Sequence, residues 1–168
     1  MWDIQLFKLN FDHREIDAVT DVVEGGWLTM GDKTKEFEAN FEAFLGERSH
    51  CKAVSNGTAA LHMALLALEV GTGDEVIIPA PFWVSYPDMV LLAGGTPKIV
   101  KCDEKDSFKL SAKKLEKAIS KKTKWIILNS PSNPTGAGYT KKEIEDLSKV
   151  LLKNKKIFIL SDDIYEHI

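Results

Sequence analysis

The feature that most constrains this chain is a regular alternation, from Val76 to Leu160, of short apolar runs with segments of helical spacing. The apolar runs are residues 76–78, 98–100, 125–128 and 157–160, and the helical segments between them are 85–93, 111–120 and 141–153. Strands that are apolar throughout are buried on both faces, and strands that alternate with helices form parallel sheets. We therefore predict an α/β fold of three layers, in which helices cover both faces of a mostly parallel sheet.

The residues before this alternation carry helical patterns only. Apolar side chains recur at helical spacing over residues 12–24, which Gly25 and Gly26 end, and over 33–45. Residues 58–68 are apolar on nearly every side, which predicts a buried helix. We expect residues 1–50 to form a helical N-terminal arm or segment. Residues 51–168 are then an α/β domain.

Composition excludes several kinds of partner. The net charge is −3 and the lysines stand beside glutamates, so we expect no nucleic-acid surface. No apolar run approaches the roughly 18 residues that a membrane span needs, and residues 1–3 do not begin a secretory signal. Cys51 and Cys102 fit no metal spacing, and the histidines are scattered. We expect two buried free thiols, no metal site and a cytoplasmic protein.

Two segments with unusual side chains lie early in the domain, at a helix start and after a strand. In open parallel sheets, ligands gather at the carboxyl ends of the strands. Ser55 and Asn56, with the small pair Gly57-Thr58, open a helix whose free N–H groups and dipole suit a phosphate, although this motif taken alone favours a plain N-cap. Trp83 follows the first strand, where it could stack on a planar ring or pack in the core.

Two further segments follow later strands. Residues 129–136 are rich in Asn, Pro and Gly, which predicts a turn, and they hold Asn133 where its amide could meet a ligand oxygen. Residues 161–165 place Asp162 and Asp163 at the end of the last strand. A carboxylate at the floor of a crevice is costly unless it faces a cation or several donors. Helix capping by either aspartate is the alternative.

Taken together, these segments resemble the fold-type I aminotransferases, which use pyridoxal phosphate (PLP). From about Ala80 onward the chain looks like a bacterial class I aspartate aminotransferase, on the motifs at residues 81–87, 129–136 and 161–167. Before about Pro79 it looks like the DegT/DnrJ/EryC1/StrS family, which aminates nucleotide-linked keto-sugars, on the motifs at 26–31 and 54–61. We therefore hypothesise a chimera of two enzymes that share one fold, joined near Pro79.

The resemblance implies that residues 51–168 are part of a PLP-binding large domain, and it implies a role for each polar segment. Gly57 and Thr58 would hold the cofactor phosphate. Trp83 would stack on the pyridine ring and border the substrate. Asn133 would bond the ring hydroxyl oxygen and lie near the substrate carboxylate.

The last segment carries the two remaining roles. Asp162, three positions before Tyr165, would pair with the pyridinium nitrogen and keep it protonated, so that the ring can accept electrons. Tyr165 would donate to the ring hydroxyl oxygen. Asp163 lacks the family spacing to the tyrosine and is the less favoured partner.

In both resembled families the Schiff-base lysine lies a few tens of residues beyond this aspartate, whereas the sequence ends at Ile168. We therefore expect no catalytic lysine within the chain, and neither Arg14 nor Arg48 is assigned to substrate. The resemblance implies transamination between an amino acid and a 2-oxo acid, of the aspartate aminotransferase type, by an intact enzyme that is a homodimer. A nucleotide-sugar aminotransferase and a non-catalytic fragment that binds cofactor or a partner chain are the alternatives.

Overall fold

The computed structural model describes residues 8–46 and 49–167. The chain divides into two compact units, Met1–Ala53 and Val54–Ile168. Residues 1–3 and Arg48, which entered the expectations above, lie outside the described residues.

Within residues 8–46 and 49–53, the first unit contains two helices, α1 (His13–Glu24) and α2 (Asp32–Leu45). Helix α1 begins with a capping box. The Asp12 carboxylate accepts the Arg14 N–H at 2.9 Å, and Glu15 accepts the Asp12 N–H at 2.8 Å. These two bonds satisfy amide groups that the helix itself leaves without partners, which is why it starts here.

One face of α2 carries the stacked aromatic side chains that its spacing predicts. The ring centroids of Phe37 and Phe41 lie 6.1 Å apart, and those of Phe41 and Phe44 lie 6.2 Å apart. On another face Glu38 is buried, accepting hydrogen bonds at 2.9 Å from both Lys52 Nζ and the Ala53 N–H. The bond from Lys52 lowers the pKa of Glu38, so the carboxylate stays charged and ties α2 to the segment that follows it.

The second unit contains the alternation predicted from the sequence. Its elements are α3 (Gly57–Ala67), β1 (Glu75–Ala80), α4 (Ser85–Leu92), β2 (Thr96–Lys101), a 3-10 turn (Glu104–Asp106), α5 (Ala112–Ala118), β3 (Thr123–Asn129), α6 (Lys141–Lys153) and β4 (Phe158–Asp162). Each predicted strand and helix is present, with ends that differ by a few residues. Ser111 caps α5 by accepting the Lys114 N–H at 3.3 Å, as its position predicts.

The four strands form one sheet in the order β2-β1-β3-β4, and every neighbouring pair is parallel. Ile77 aligns with Ile126, which in turn aligns with Ile159. Because the strands run in one direction, their carboxyl ends share one edge, where Asn129 of β3 lies opposite Asp162 of β4. The polar loops singled out in the sequence leave the sheet at this edge.

Along each strand, side chains alternate between two separate cores, because successive residues of a strand point to opposite faces of the sheet. One core lies on the α3–α4 side and includes Val76, Ile78, Trp125, Ile127, Leu65, Met89 and Val90. The other lies on the α5–α6 side and includes Ile77, Ile126, Leu115, Leu147 and Val150. The three-layer α/β fold is therefore confirmed.

Two burial predictions need correction. Helix α3 was expected to be buried, yet Leu65 is its one buried residue, while Met63 and Leu66 are about half exposed. The helix packs against α4 and contributes Leu65 to the core, while its side chains on other faces, such as Met63 and Leu66, stay exposed. Of the two thiols, Cys102 is buried as predicted, whereas Cys51 is half-buried.

The outer strands of the sheet also expose apolar side chains. Ile99 on β2 is 46% exposed, and Phe158 and Ile159 on β4 are 46% and 53% exposed. Sheet edges of this kind invite pairing with another chain. No helix in the described ranges combines the length and apolar character that crossing a bilayer requires.

Candidate functional site

An open cleft of about 450 Å³ lies at the carboxyl edge of the sheet, and its volume is within the usual range for small-molecule sites. All six residues that the sequence selected line it, namely Gly57, Thr58, Trp83, Asn133, Asp162 and Tyr165. They come from the start of α3, the β1–α4 connection, the β3–α6 loop and the end of β4. Parallel strands bring the last three of these segments together, since their carboxyl ends share one edge, and α3 is placed beside them by its packing against α4.

At one end of the cleft stands the amino terminus of α3. Asn56, rather than Ser55, caps the helix: its Oδ1 accepts the Ala59 N–H at 2.9 Å. The N–H groups of Gly57 and Thr58 donate to no residue within the described ranges. A Cβ placed on Gly57 would meet no atom within 4 Å, and both residues are exposed at the wall of the cleft. The helix dipole and two free N–H groups can hold an anionic oxygen here.

The floor of the cleft is formed by Asp162, whose Oδ2 accepts a hydrogen bond of 2.6 Å from the Tyr86 hydroxyl. Tyr86 is 2% exposed, and burial together with this bond raises the pKa of its phenol well above the usual range. The phenol therefore remains a neutral donor. No described residue donates to the other oxygen, Oδ1, which is left to accept from a ligand.

Tyr86 is a site residue that the sequence reasoning missed. It lies three positions after Trp83, within the motif that supported the family resemblance, but it received no role. A signal was present, because a tyrosine on a buried helix face needs a partner for its hydroxyl. That partner lies 76 residues away in the sequence, so its identity could not be read locally.

Asn133 and Tyr165 form the wall beside this floor. The Asn133 Nδ2 donates to the Tyr165 hydroxyl oxygen at 3.3 Å. The Asn133 backbone N–H donates to Asn129 Oδ1 at 2.8 Å, and Asn129 Nδ2 donates to the Asp162 carbonyl oxygen at 2.8 Å. Asn129, also assigned no role from the sequence, therefore joins the loop to β4. An amide and a phenol side by side can together bond one ligand oxygen.

Trp83 is 42% exposed and lines the cleft, whereas its neighbour Phe82 packs against the core. The structure thus separates the two interpretations that the sequence left open for this aromatic segment. Phe82 anchors the loop, and the indole of Trp83 is available to a planar ring.

The charge of the lining is unbalanced. Asp162 and Asp163 both contribute carboxylates, and none of the described lining residues is lysine or arginine. Asp163 is exposed, and its Oδ1 accepts a hydrogen bond of 2.8 Å from the Ser161 hydroxyl. This donor set fits a ligand with a protonated ring nitrogen, a ring oxygen and an anionic group at the helix end. Nowhere in residues 8–46 and 49–167 do three or more metal-binding side chains converge.

Comparison with known proteins places these features in context. The model of the DegT/DnrJ/EryC1/StrS aminotransferase family matches residues 10–162. A probable aspartate/prephenate aminotransferase of Rickettsia conorii is 56% identical over 115 residues, which is 68% of this chain and 29% of that protein. The aspartate/prephenate aminotransferase of Cereibacter sphaeroides is 55% identical over 114 residues, which is 68% of this chain and 28% of that protein. The chain thus spans less than a third of these relatives.

Solved structures are similar along nearly the whole chain. A putative sugar aminotransferase from Streptococcus pneumoniae superimposes with a TM-score of 0.79 at 30% identity, covering 96% of this chain and 43% of that one. The aspartate aminotransferase of Rhizobium meliloti superimposes with a TM-score of 0.73 at 32% identity, covering 96% of this chain and 42% of that one.

Both family likenesses run across Pro79. The family model continues from residue 10 to residue 162, and the 115 residues aligned with the Rickettsia protein outnumber those from 80 to 168. The likeness to aspartate aminotransferases therefore begins before Ala80, and neither match stops at the junction predicted near Pro79.

Proposed function

Because this chain belongs to the DegT/DnrJ/EryC1/StrS aminotransferase family, we propose that its cleft is part of the cofactor site of a PLP-dependent aminotransferase. One observation carries the proposal: six residues from four separate segments line a single cleft at the carboxyl edge of the sheet. In its middle, Tyr86 orients a carboxylate whose second oxygen is free among the described residues.

Asp162 is the residue on which the chemistry depends. Bound PLP supplies an electron-withdrawing ring for amino-group transfer. A carboxylate next to the ring nitrogen favours the protonated form of that nitrogen, which strengthens the withdrawal. Tyr86 occupies Oδ2, so that Oδ1 is directed to the ligand and the carboxylate cannot rotate freely.

The other residues bind and orient the cofactor. Asn133 and Tyr165 bond the ring hydroxyl oxygen, and the indole of Trp83 covers one ring face and borders the substrate. Gly57 and Thr58 present their N–H groups to the phosphate. No basic side chain lines the cleft among the described residues, so in that part of the chain the helix end is the source of positive potential for the phosphate.

For the whole protein we propose amino acid and 2-oxo acid substrates, as for an aspartate aminotransferase, and a homodimeric assembly. A nucleotide-sugar aminotransferase is the second candidate. The family model and the similarity to the Streptococcus pneumoniae structure favour it. Supplying the whole protein with a 2-oxo acid or with a keto-sugar nucleotide as amino acceptor separates the two.

The cofactor assignment is tested by calorimetric titration of the chain with pyridoxamine phosphate. This compound has the ring, hydroxyl and phosphate of PLP but no aldehyde, so it cannot react with the many lysines of the chain. We expect saturable binding that Asp162→Asn weakens about 10- to 100-fold, because a hydrogen bond to a charged group contributes about 1.5–3 kcal/mol.

Asp163→Asn is the matched control, since it removes the same charge one residue away. We expect it to change the affinity by less than about threefold, as for an exposed charge. Absence of saturable binding by the unaltered chain would refute the proposed function. An equal loss in both variants would refute the assignment of Asp162.

A further inference from the structure

We infer that Lys109, Tyr139 and Glu143 hold in place, from the side opposite the cleft, the loop that presents Asn133 to the cleft. We call these three residues the clamp. None of the three is among the residues that line the cleft. The inference rests on the proposed function, because it assigns these residues a part in forming the same cofactor site.

An ion pair forms the first half of the clamp. Lys109 Nζ lies 2.7 Å from Glu143 Oε1, and it donates to Glu143 Oε2 at 2.9 Å and to the Gly138 carbonyl oxygen at 3.4 Å. The Lys109 side chain is only 18% exposed, so solvent competes weakly for it. The hydrogen bond from Lys109, together with those from the Thr140 N–H and hydroxyl, lowers the pKa of Glu143 to about 2.

Glu143 is itself held in place by the helix that it begins. Its Oε2 accepts the Thr140 N–H at 2.7 Å and the Thr140 hydroxyl at 2.9 Å, completing the capping box of α6. Lys109 therefore pairs with a carboxylate whose position is already fixed by hydrogen bonds. The ion pair fixes the end of the loop relative to the connection between β2 and α5.

Tyr139 forms the second half. Its hydroxyl oxygen accepts the Leu110 N–H at 2.8 Å, and its own N–H donates to Ser130 Oγ at 3.1 Å. Burial raises the pKa of Tyr139 to about 12, so the phenol stays neutral. Lys109 and Leu110 thus bind the last residues of the loop, and the Tyr139 N–H binds Ser130 at the start of the loop.

A displacement of the clamp residues also displaces Asn133, because hydrogen bonds within the loop make it move as one unit. Inside it, the Ser132 N–H donates to the Ala137 carbonyl oxygen at 3.0 Å, and the Gly136 N–H donates to the Ser132 carbonyl oxygen at 2.7 Å. The cavity behind the loop measures only about 20 Å³ and is lined in part by Lys109 and Tyr139. The loop therefore rests closely on the clamp on this side, while Asn129 holds Asn133 on the side of β4.

The contact at the cleft is sensitive to such movement. The Asn133–Tyr165 hydrogen bond measures 3.3 Å, near the long limit for N–H···O bonds. A displacement of about half an ångström would break it. The pair could then no longer share a ring oxygen.

The inference is tested on the 168-residue chain with Lys109→Met, with Lys109→Arg as the conservative variant and with Lys113→Met, an exposed lysine of α5, as the control. Without ligand, hydrogen exchange of the Asn133 backbone amide, which bonds to Asn129 Oδ1, reports the loop directly. We expect Lys109→Met to raise its exchange rate about tenfold or more while the Ile126 amide in the core is unchanged. Lys109→Arg should restore most of the protection.

With pyridoxamine phosphate, two readouts follow the site. Lys109→Met should weaken binding about 3- to 10-fold, in keeping with a lost contact to the ring oxygen. It should also move the pKa of the bound ring hydroxyl, followed by absorbance, towards that of the free compound. Lys113→Met should alter neither quantity.

The outcomes separate this inference from the proposed function. Unchanged exchange at Asn133 in Lys109→Met overturns the clamp, whether or not the compound binds. Faster exchange with unaltered affinity and ring pKa overturns its role at the site. Failure of the unaltered chain to bind refutes the proposed function, and with it the role of the clamp in that function.

Discussion

The bond between Tyr86 and Asp162 offers a quantitative test of how the cleft is built. Replacing Tyr86 by Phe removes one hydroxyl and keeps the buried ring, so packing changes little. The lost hydrogen bond of 2.6 Å joins α4 to the end of β4, and its acceptor is a carboxylate. Bonds to charged groups contribute about 1.5–3 kcal/mol to folding. Asp162 is half-buried and water can replace part of the bond, so we expect a loss of about 1–2 kcal/mol at neutral pH.

The pH dependence gives this prediction a second signature. The folded state raises the pKa of Tyr86 above the value of about 10 in the unfolded chain. The contribution of the neutral phenol is therefore complete below about pH 10 and declines as the pH rises through and beyond that value. By about pH 11, ionisation of this tyrosine stabilises the unfolded state by about 1.4 kcal/mol. The stability difference between the parent and Tyr86→Phe should then have nearly vanished.

Urea unfolding followed by circular dichroism, at neutral pH and at about pH 11, measures both quantities. The other tyrosines are common to both proteins, so their ionisation cancels in the difference. A variant as stable as the parent at neutral pH, with parallel losses in alkali, would show that the hydrogen bond does not hold Asp162. A double-mutant cycle with Asp162→Asn should give a coupling energy of about 1 kcal/mol, and a value near zero would contradict a direct contact.

Two further predictions concern the sheet. Leu115→Ala empties a fully buried position in the α5–α6 core and should cost about 2–5 kcal/mol in urea unfolding, whereas Leu152→Ala on the exposed side of α6 should cost less than about 1 kcal/mol. If the two substitutions had equal effects on stability, the assignment of the α5–α6 core would be wrong. Because Ile159 is exposed on the edge strand β4, we expect the chain to self-associate and Ile159→Lys to reduce the sedimenting mass. A monomeric parent chain, with a sedimenting mass that Ile159→Lys leaves unchanged, would contradict this.

Much of the fold could be predicted because its signals are local. The apolar runs at Val76 and Trp125 mark strands by their own composition, and Ser111 marks a helix start by the geometry of its hydroxyl. The site residues were also accessible from the sequence. Trp83, Asn133, Asp162 and Tyr165 lie at or after the carboxyl ends of parallel strands, where ligands gather, and Gly57 and Thr58 begin a helix.

What failed depended on neighbours distant in sequence. The apolar composition of α3 predicted burial, but exposure is decided by what packs against a helix, and Met63 is about half exposed. Likewise Phe82 and Trp83 are adjacent aromatic residues. Only the direction of the loop assigns one to the core and the other to the cleft.

By itself the sequence determined the elements, their parallel arrangement and the candidate residues, since each depends on periodicity or on a few adjacent side chains. The tertiary structure alone decided the pairings: Tyr86 with Asp162, and Lys109 with Glu143. The physical reason is the strand order β2-β1-β3-β4, in which β1 lies between β2 and β3 and brings together groups from separate crossovers. Hydrogen bonds and ion pairs act over about 3 Å, so such contacts follow from the folded arrangement rather than from spacing along the chain.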